Sequence, residues 1–245
     1  MSTVFKILKR VIIALVSLFI AVVIGFLAWR ILSSGNPSSM DALTPNDRLA
    51  AAYAESDNSL YMFRQDQRSI TSGETNYGYF SITDYAIIPD ANQVQTLIRY
   101  NNSTLKYTAT DFGLSEIPAR EAENYDFSLV VAIDLTPENK DDNLGNDPES
   151  VKFVRCHGTL AASDQKNMYN FRRMVFQLDD SDIDIKELKE SGLLLAMYVD
   201  FYYIGNVNYD EPPMATLCLY DYISEDITVK LDRKDRKALE AYGDN

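Results

Sequence analysis

A mostly β, antiparallel domain behind a single membrane-spanning helix is the fold class this sequence predicts, with the strands forming a sandwich of immunoglobulin-like architecture. Three observations carry the expectation. Val11–Trp29 is an apolar run without a charge. About nine later segments alternate apolar and polar residues with a period of two. Helical patterns do not alternate with those strands, which disfavours a doubly wound parallel sheet. The chain has 245 residues, 46% of them hydrophobic and 24% charged. That composition excludes collagen-like, low-complexity and wholly disordered classes, and leaves ample chain for a buried core.

The apolar run comes first. At about 1.5 Å per residue, Val11–Trp29 reaches roughly 28 Å, the hydrocarbon thickness of a bilayer. Without water to satisfy its amides, such a segment must bond them internally as a helix. Lys6, Lys9 and Arg10 precede it, so residues 1–10 read as a cytoplasmic basic N-terminus and 11–29 as a signal-anchor. A cleaved signal peptide is the rival reading. Against it stand the length of the run and the bulky Ala28-Trp29-Arg30, where a small-x-small cleavage site belongs. Ala14, Ser17, Ala21, Gly25 and Ala28 share one helix face, a pattern that would admit a homodimer through the membrane segment.

Residues 30–43 read as a polar linker, and 44–245 as an exported acidic domain. Residues 1–32 hold four of the 23 bases and none of the 36 acids, so the remainder stands at −17. A domain so acidic repels phosphate backbones, which excludes nucleic acid as a partner. Thr44-Pro45-Asn46-Asp47 predicts a helix start with Thr44 as N-cap, running to about Glu55. In β order, Phe80, Ile82, Ala86 and Ile88 share one face, Pro89–Asn92 turns the chain, and Val94–Tyr100 returns as the second arm of a hairpin. Phe127, Leu129, Val131, Ile133 and Leu135 form a core face set against a mostly wet face of Asp126, Ser128, Ala132 and Asp134. Further strands are expected at 60–64, 151–157, 168–178, 193–204, 216–222 and 227–231. A weak helical turn falls at 185–190, and a C-terminal helix follows Asp232 over 233–241.

The chemistry is sparse. His157 is the sole histidine, so zinc sites needing two or three His ligands cannot be built, and no Gly-x-Ser-x-Gly elbow occurs. No cofactor is implied. Cys156 and Cys218 are spaced as in immunoglobulin domains, yet the tryptophan between them is missing and Thr216 stands where the tyrosine corner belongs. They read as two buried thiols, with a disulfide as the alternative. Asp141, Asp142, Asn143 and Asp147 supply oxygen donors suited to calcium but miss the helix-loop-helix spacing; Asp179, Asp180, Asp182 and Asp184 form a second acidic loop. Asn101–Thr104 contains two overlapping glycosylation sequons.

Sixteen tyrosines are the compositional oddity. Tyr198, Tyr202, Tyr203, Tyr209, Tyr220 and Tyr222 gather near the C-terminal strands as a candidate surface for a protein or glycan partner, although tyrosine also suits strands for packing alone. The sequence thus predicts a membrane-anchored binding or interaction domain without a catalytic motif. Two alternatives stand beside it: a carboxylate-only enzyme such as a glycosidase, and a structural subunit of a membrane complex.

Overall fold

In a computed structural model of the chain, residues 2–65, 70–71, 80–135, 150–181 and 183–243 are described. Two compact units emerge, one ending at Asn36 and one starting at Pro37. The first contains helix α1 (Ser2–Ser34). Its stretch Leu8–Trp29 is long and apolar enough to cross a membrane, and none of its most apolar window is buried against protein.

The second unit is built on ten strands: β1 (Met62–Gln65), β2 (Ile70–Thr71), β3 (Phe80–Ile88), β4 (Gln93–Asn101), β5 (Tyr125–Asp134), β6 (Val151–Lys166), β7 (Tyr169–Gln177), β8 (Leu194–Tyr203), β9 (Ala215–Asp221) and β10 (Asp226–Val229). Nine follow the path β10-β1-β3-β4-β7-β6-β5-β8-β9, antiparallel at every step, with β2 paired to β3 beside it. This sheet curls into a half-barrel rather than separating into the two facing sheets of the expected immunoglobulin-like sandwich. The physical reason is β6. Its first half, to His157, pairs with β5, and its second half, from Gly158, pairs with β7, so one long strand carries the sheet around the corner. Alternation marks which face of a strand is buried, but not whether that face meets another sheet or a bend of its own.

Gly158 sits at this corner because a Cβ there would lie 2.6 Å from the Phe176 ring. The ends of the path also approach one another, since only the turn 222–225 separates β9 from β10. The side-chain amide of Gln65 bridges them, accepting from the Asp221 N–H and donating to the Asp221 and Ser224 carbonyls.

Inside the curl lies the main core, where Phe80 is 4.7 Å from Phe201 and edge-on to Tyr125 at 5.1 Å between ring centroids. The predicted face of β5 is there in Phe127, Leu129, Val131 and Ile133, but its opposite face is not wet: Ser128, Ala132 and Asp134 are buried as well. Leu135 follows the strand and is exposed. The β3–β4 hairpin forms as expected, with one change of phase. A bulge at Thr83 turns Tyr85 and Ile87 inward beside Phe80 and Ile82, and sends Ala86 and Ile88 to the outer face, into a second cluster.

That second cluster packs under helices α2 (Asp47–Glu55) and α5 (Arg233–Gly243) through Leu49, Ala52, Tyr53 and Leu239. The N-cap of α2 is Asn46, whose side chain accepts from Leu49 N–H, and not Thr44. Thr44 is engaged elsewhere: its backbone N–H and C=O both bond the side-chain amide of Gln95, each at 2.8 Å. Helix α4 (Ile185–Glu190) is capped by Asp184, and Asp232 accepts from Lys234 and Asp235 at the start of α5 as expected. Helix α3 (Asn102–Asp111), which the alternation did not reveal, starts on Asn101, whose side-chain Oδ1 accepts from Thr104 N–H.

Part of the segment read as linker belongs to this unit. Met40 and Leu43 are buried, Arg173 donates to the Met40 carbonyl, Leu43 N–H donates to Asp235, and Lys234 pairs with Asp41 at 2.6 Å. Residues 37–46 therefore run as a strap over the outer face of β4 and β7.

Candidate functional site

Among the described residues no such strap crosses the outer face of β5, β6, β8 and β9, and the register of these strands assembles a polar row there. Ser128 lies opposite His157 on one side and Asp200 on the other, and Asp200 lies opposite Thr216. Two residues along each strand, Arg155 lies opposite Val130, and Asp126 lies opposite Tyr202. Because side chains two apart share a face, Asp126, Ser128, Arg155, His157, Asp200 and Tyr202 point the same way. After β8 the chain doubles back, with Met214 N–H donating to the Phe201 carbonyl, and it carries Tyr209 over this row.

Arg155 is the centre. Its guanidinium pairs with Asp200 at 3.1 Å and lies 4.7 Å from the Tyr209 ring centroid and 5.4 Å from that of Tyr202. The two tyrosine rings meet edge-on at 5.2 Å. Thr216 donates to the other oxygen of Asp200 at 2.7 Å. Asp126 Oδ2 accepts from the Ser128 hydroxyl at 2.7 Å and from the Tyr209 hydroxyl at 3.0 Å. Tyr209 has one phenolic proton and gives it to Asp126. The 3.4 Å contact with His157 Nδ1 therefore needs that nitrogen to be the donor. Burial raises the Tyr209 pKa and the Asp126 contact raises it further; burial also raises that of Tyr202, with Arg155 opposing. Both rings thus stay neutral at physiological pH, as apolar faces with polar tips.

The arrangement suits recognition more than bond-breaking. Ser128 is fully buried and its proton is committed to Asp126, so it is no nucleophile. Asp126 and Asp200 are diagonal neighbours on one face, but donors already hold both. Tyr209 remains 40% exposed, and His157 and Thr216 are exposed beside it.

The predicted tyrosine surface divides. Tyr202 and Tyr209 meet here and Tyr198 is half-buried on the same strand as Tyr202, but the others scatter. Tyr203 packs on Phe112 at 4.9 Å. Tyr220 is buried inside the curl, edge-on to Phe63, and burial pushes its pKa up to about 12. Tyr222 is exposed in the turn after β9. Sequence reasoning missed Arg155, Asp126 and Asp200 as site residues and used His157 only to exclude zinc sites. The pairs Asp126/Ser128 and Arg155/His157, polar at a spacing of two, were the available signal.

Cys156 and Cys218 are both free thiols, so the alternative disulfide is not formed. Cys156 faces the core, 3.1 Å from the Ser181 hydroxyl, while Cys218 is exposed rather than buried, with β5 and β8 between their strands. Burial raises the Cys156 thiol pKa, and partial desolvation of its sulfur together with the nearby Asp221 charge raises that of Cys218. Asp141, Asp142, Asn143 and Asp147, the calcium candidates, lie outside the described residues, as does Asp182. Among the described residues no group of three His, Cys, Asp or Glu side chains could hold a metal. Asp179 pairs with Arg48 at 2.8 Å and Asp184 caps α4. In the sequons, the Asn101 amide caps α3 and the Asn102 carbonyl oxygen is 3.4 Å from Asn170. Neither family models, curated proteins nor solved structures offer a match to this chain.

Proposed function

We propose that the chain is a single-pass membrane protein with a cytoplasmic N-terminus whose exported β domain binds a protein or surface glycan through the face around Arg155. The basic residues before the apolar helix and the acidic balance after it support the topology. One observation carries the binding reading: Tyr209 lies partly exposed over a guanidinium whose charge is already paired, on an outward sheet face. Rigid aromatic rings backed by satisfied polar groups offer contact area at small entropic cost, as in the anchors of binding interfaces. The carboxylate-enzyme reading draws no support from this face, where neighbouring donors already hold Asp126 and Asp200.

A photo-crosslinking amino acid at Thr216, which is exposed on the same face, tests the reading when activated in intact membranes. A discrete adduct that weakens at least about tenfold with Arg155→Ala is expected, in line with a loss of about 1.4 kcal/mol or more. Labelling no stronger than that from a control position at Lys237 would refute it.

A further inference from the structure

Asp126 also borders a cavity of about 80 Å³ at one end of the half-barrel, and the residue that distinguishes it is Arg172. Arg172 lies opposite the core residue Ile98 on β4, so its side chain points inward, and it is 2% exposed. A guanidinium has five N–H donors. Here Nη1 donates to the Phe171 carbonyl at 2.9 Å, and Nη2 to the Arg120 and Ala122 carbonyls at 2.8 and 3.2 Å. No carboxylate lies within ion-pair distance among the described residues, whereas Arg155 and Arg173 each have one. A buried cation satisfied by carbonyl dipoles alone retains much of its desolvation cost, which an anion beside it would offset.

The cavity has the walls for such an anion. Tyr100, Tyr125, Leu160 and Met174 line it, and the Arg172 guanidinium lies 5.7 Å from the Tyr100 ring centroid. Gly158 lets the β6 backbone form one side. At about 30 Å³ per water a space of this size holds about two or three waters, the room a carboxylate with a short tail, such as acetate, needs. Two acids also border it. Glu123 is exposed, where water screens it, and Asp126 already accepts from Ser128 and Tyr209.

We propose that this cavity binds the carboxylate group of a small organic acid, with Arg172 as its counter-charge. The site is separate from the Arg155 face in kind, since its occupant is a small molecule, and it can succeed or fail whatever crosslinks to Thr216.

The test uses the full chain in detergent with sodium acetate as probe, against sodium chloride at equal ionic strength and against acetamide, the neutral compound of the same shape. Acetate at ten times its Kd should raise Tm by about 3 °C, and the two controls by less than about 1 °C. Acetate should also shift the ring resonances of isotope-labelled Tyr100 and Tyr125. Leu160→Phe, which fills the cavity and leaves Arg172 in place, should abolish both effects. Equal Tm shifts with acetamide or chloride, unmoved Tyr100 and Tyr125 resonances, or an undiminished response in Leu160→Phe would each overturn the proposal. The first two readings are made on the unaltered chain, so they decide the matter even if that variant does not fold.

Discussion

Two outer faces of the same sheet place an arginine against an aspartate, and they do opposite things with it. On β7, Arg173 is 1% exposed, 3.6 Å from Asp84, and covered by the strap of residues 37–46. On β6, Arg155 keeps a quarter of its side chain in solvent, 3.1 Å from Asp200 and with the Tyr209 ring over it. Covered, the charge is a structural element whose loss leaves polar groups stranded. Half-open, it stiffens a surface that a partner can reach. The difference lies in what the chain lays over the sheet, and so in residues far away in sequence.

The largest expected effect comes from stripping the cover. Replacing residues 37–44 by a Gly/Ser spacer removes the buried Met40 and Leu43 side chains that seat the strap, so its backbone bonds to Gln95, Arg173 and Asp235 are no longer held in place. Each buried side chain contributes about 2 kcal/mol and each stranded polar group costs about 1–3 kcal/mol, which together approach the whole stability of a typical domain. Urea unfolding should show a domain largely unfolded without denaturant. An intact cooperative transition would mean that the strap merely rests on the sheet.

Next comes the direct comparison. Arg173→Met should cost about 3 kcal/mol, because it strands the buried Met40 carbonyl and takes the counter-charge from the part-exposed Asp84, whereas Arg155→Met should cost about 1 kcal/mol or less. Equal losses would erase the distinction between the two faces. Tyr209→Phe follows, removing the hydroxyl that bonds Asp126 while keeping the ring over Arg155. It should lower stability by about 1 kcal/mol or less and leave most of the adduct formed from a probe at Thr216 intact, whereas Tyr209→Ala should abolish that adduct.

The same contrast explains what could be read in advance. Period-two alternation located nearly every strand, because a residue such as Leu129 must face the core whichever sheet covers it. It did not locate the bulge at Thr83, which reverses the faces of Ala86 and Ile88, because one extra residue leaves the local pattern intact on either side. Nor did it show the strap: Ser38-Ser39 and Gly35-Asn36-Pro37 look like spacer until Gln95 and Arg173, more than fifty and one hundred positions on, supply the partners. The Arg155 cluster was half legible. Tyr202 and Tyr209 stood out by composition, but Asp126, Arg155 and Asp200 come from three strands whose adjacency follows from the corner at Gly158, and no local signal in the sequence encodes that corner.

The smallest expected effect belongs to a proton on the covered face. Asp235 is buried, and that burial raises its pKa above the ordinary carboxylate value of 3.8, against the lowering by hydrogen bonds from Leu43 and Asp232 N–H. The folded chain therefore takes up this proton at a higher pH than the unfolded chain does. Between the two pKa values the native state holds more protons, so this group's contribution to stability grows as pH falls through the folded pKa, and is complete below the unfolded one. An aspartate held mainly by an ion pair would behave the other way. Asp235→Asn lacks the titration and keeps one acceptor for Leu43 or Asp232. Relative to this variant, the parent chain should gain in urea midpoint as pH drops from 7 to 4, with other acidic groups affecting both chains alike. If the parent instead gains towards pH 7, Arg173 rather than burial governs this carboxylate, and the strap is held by charge more than by its backbone bonds.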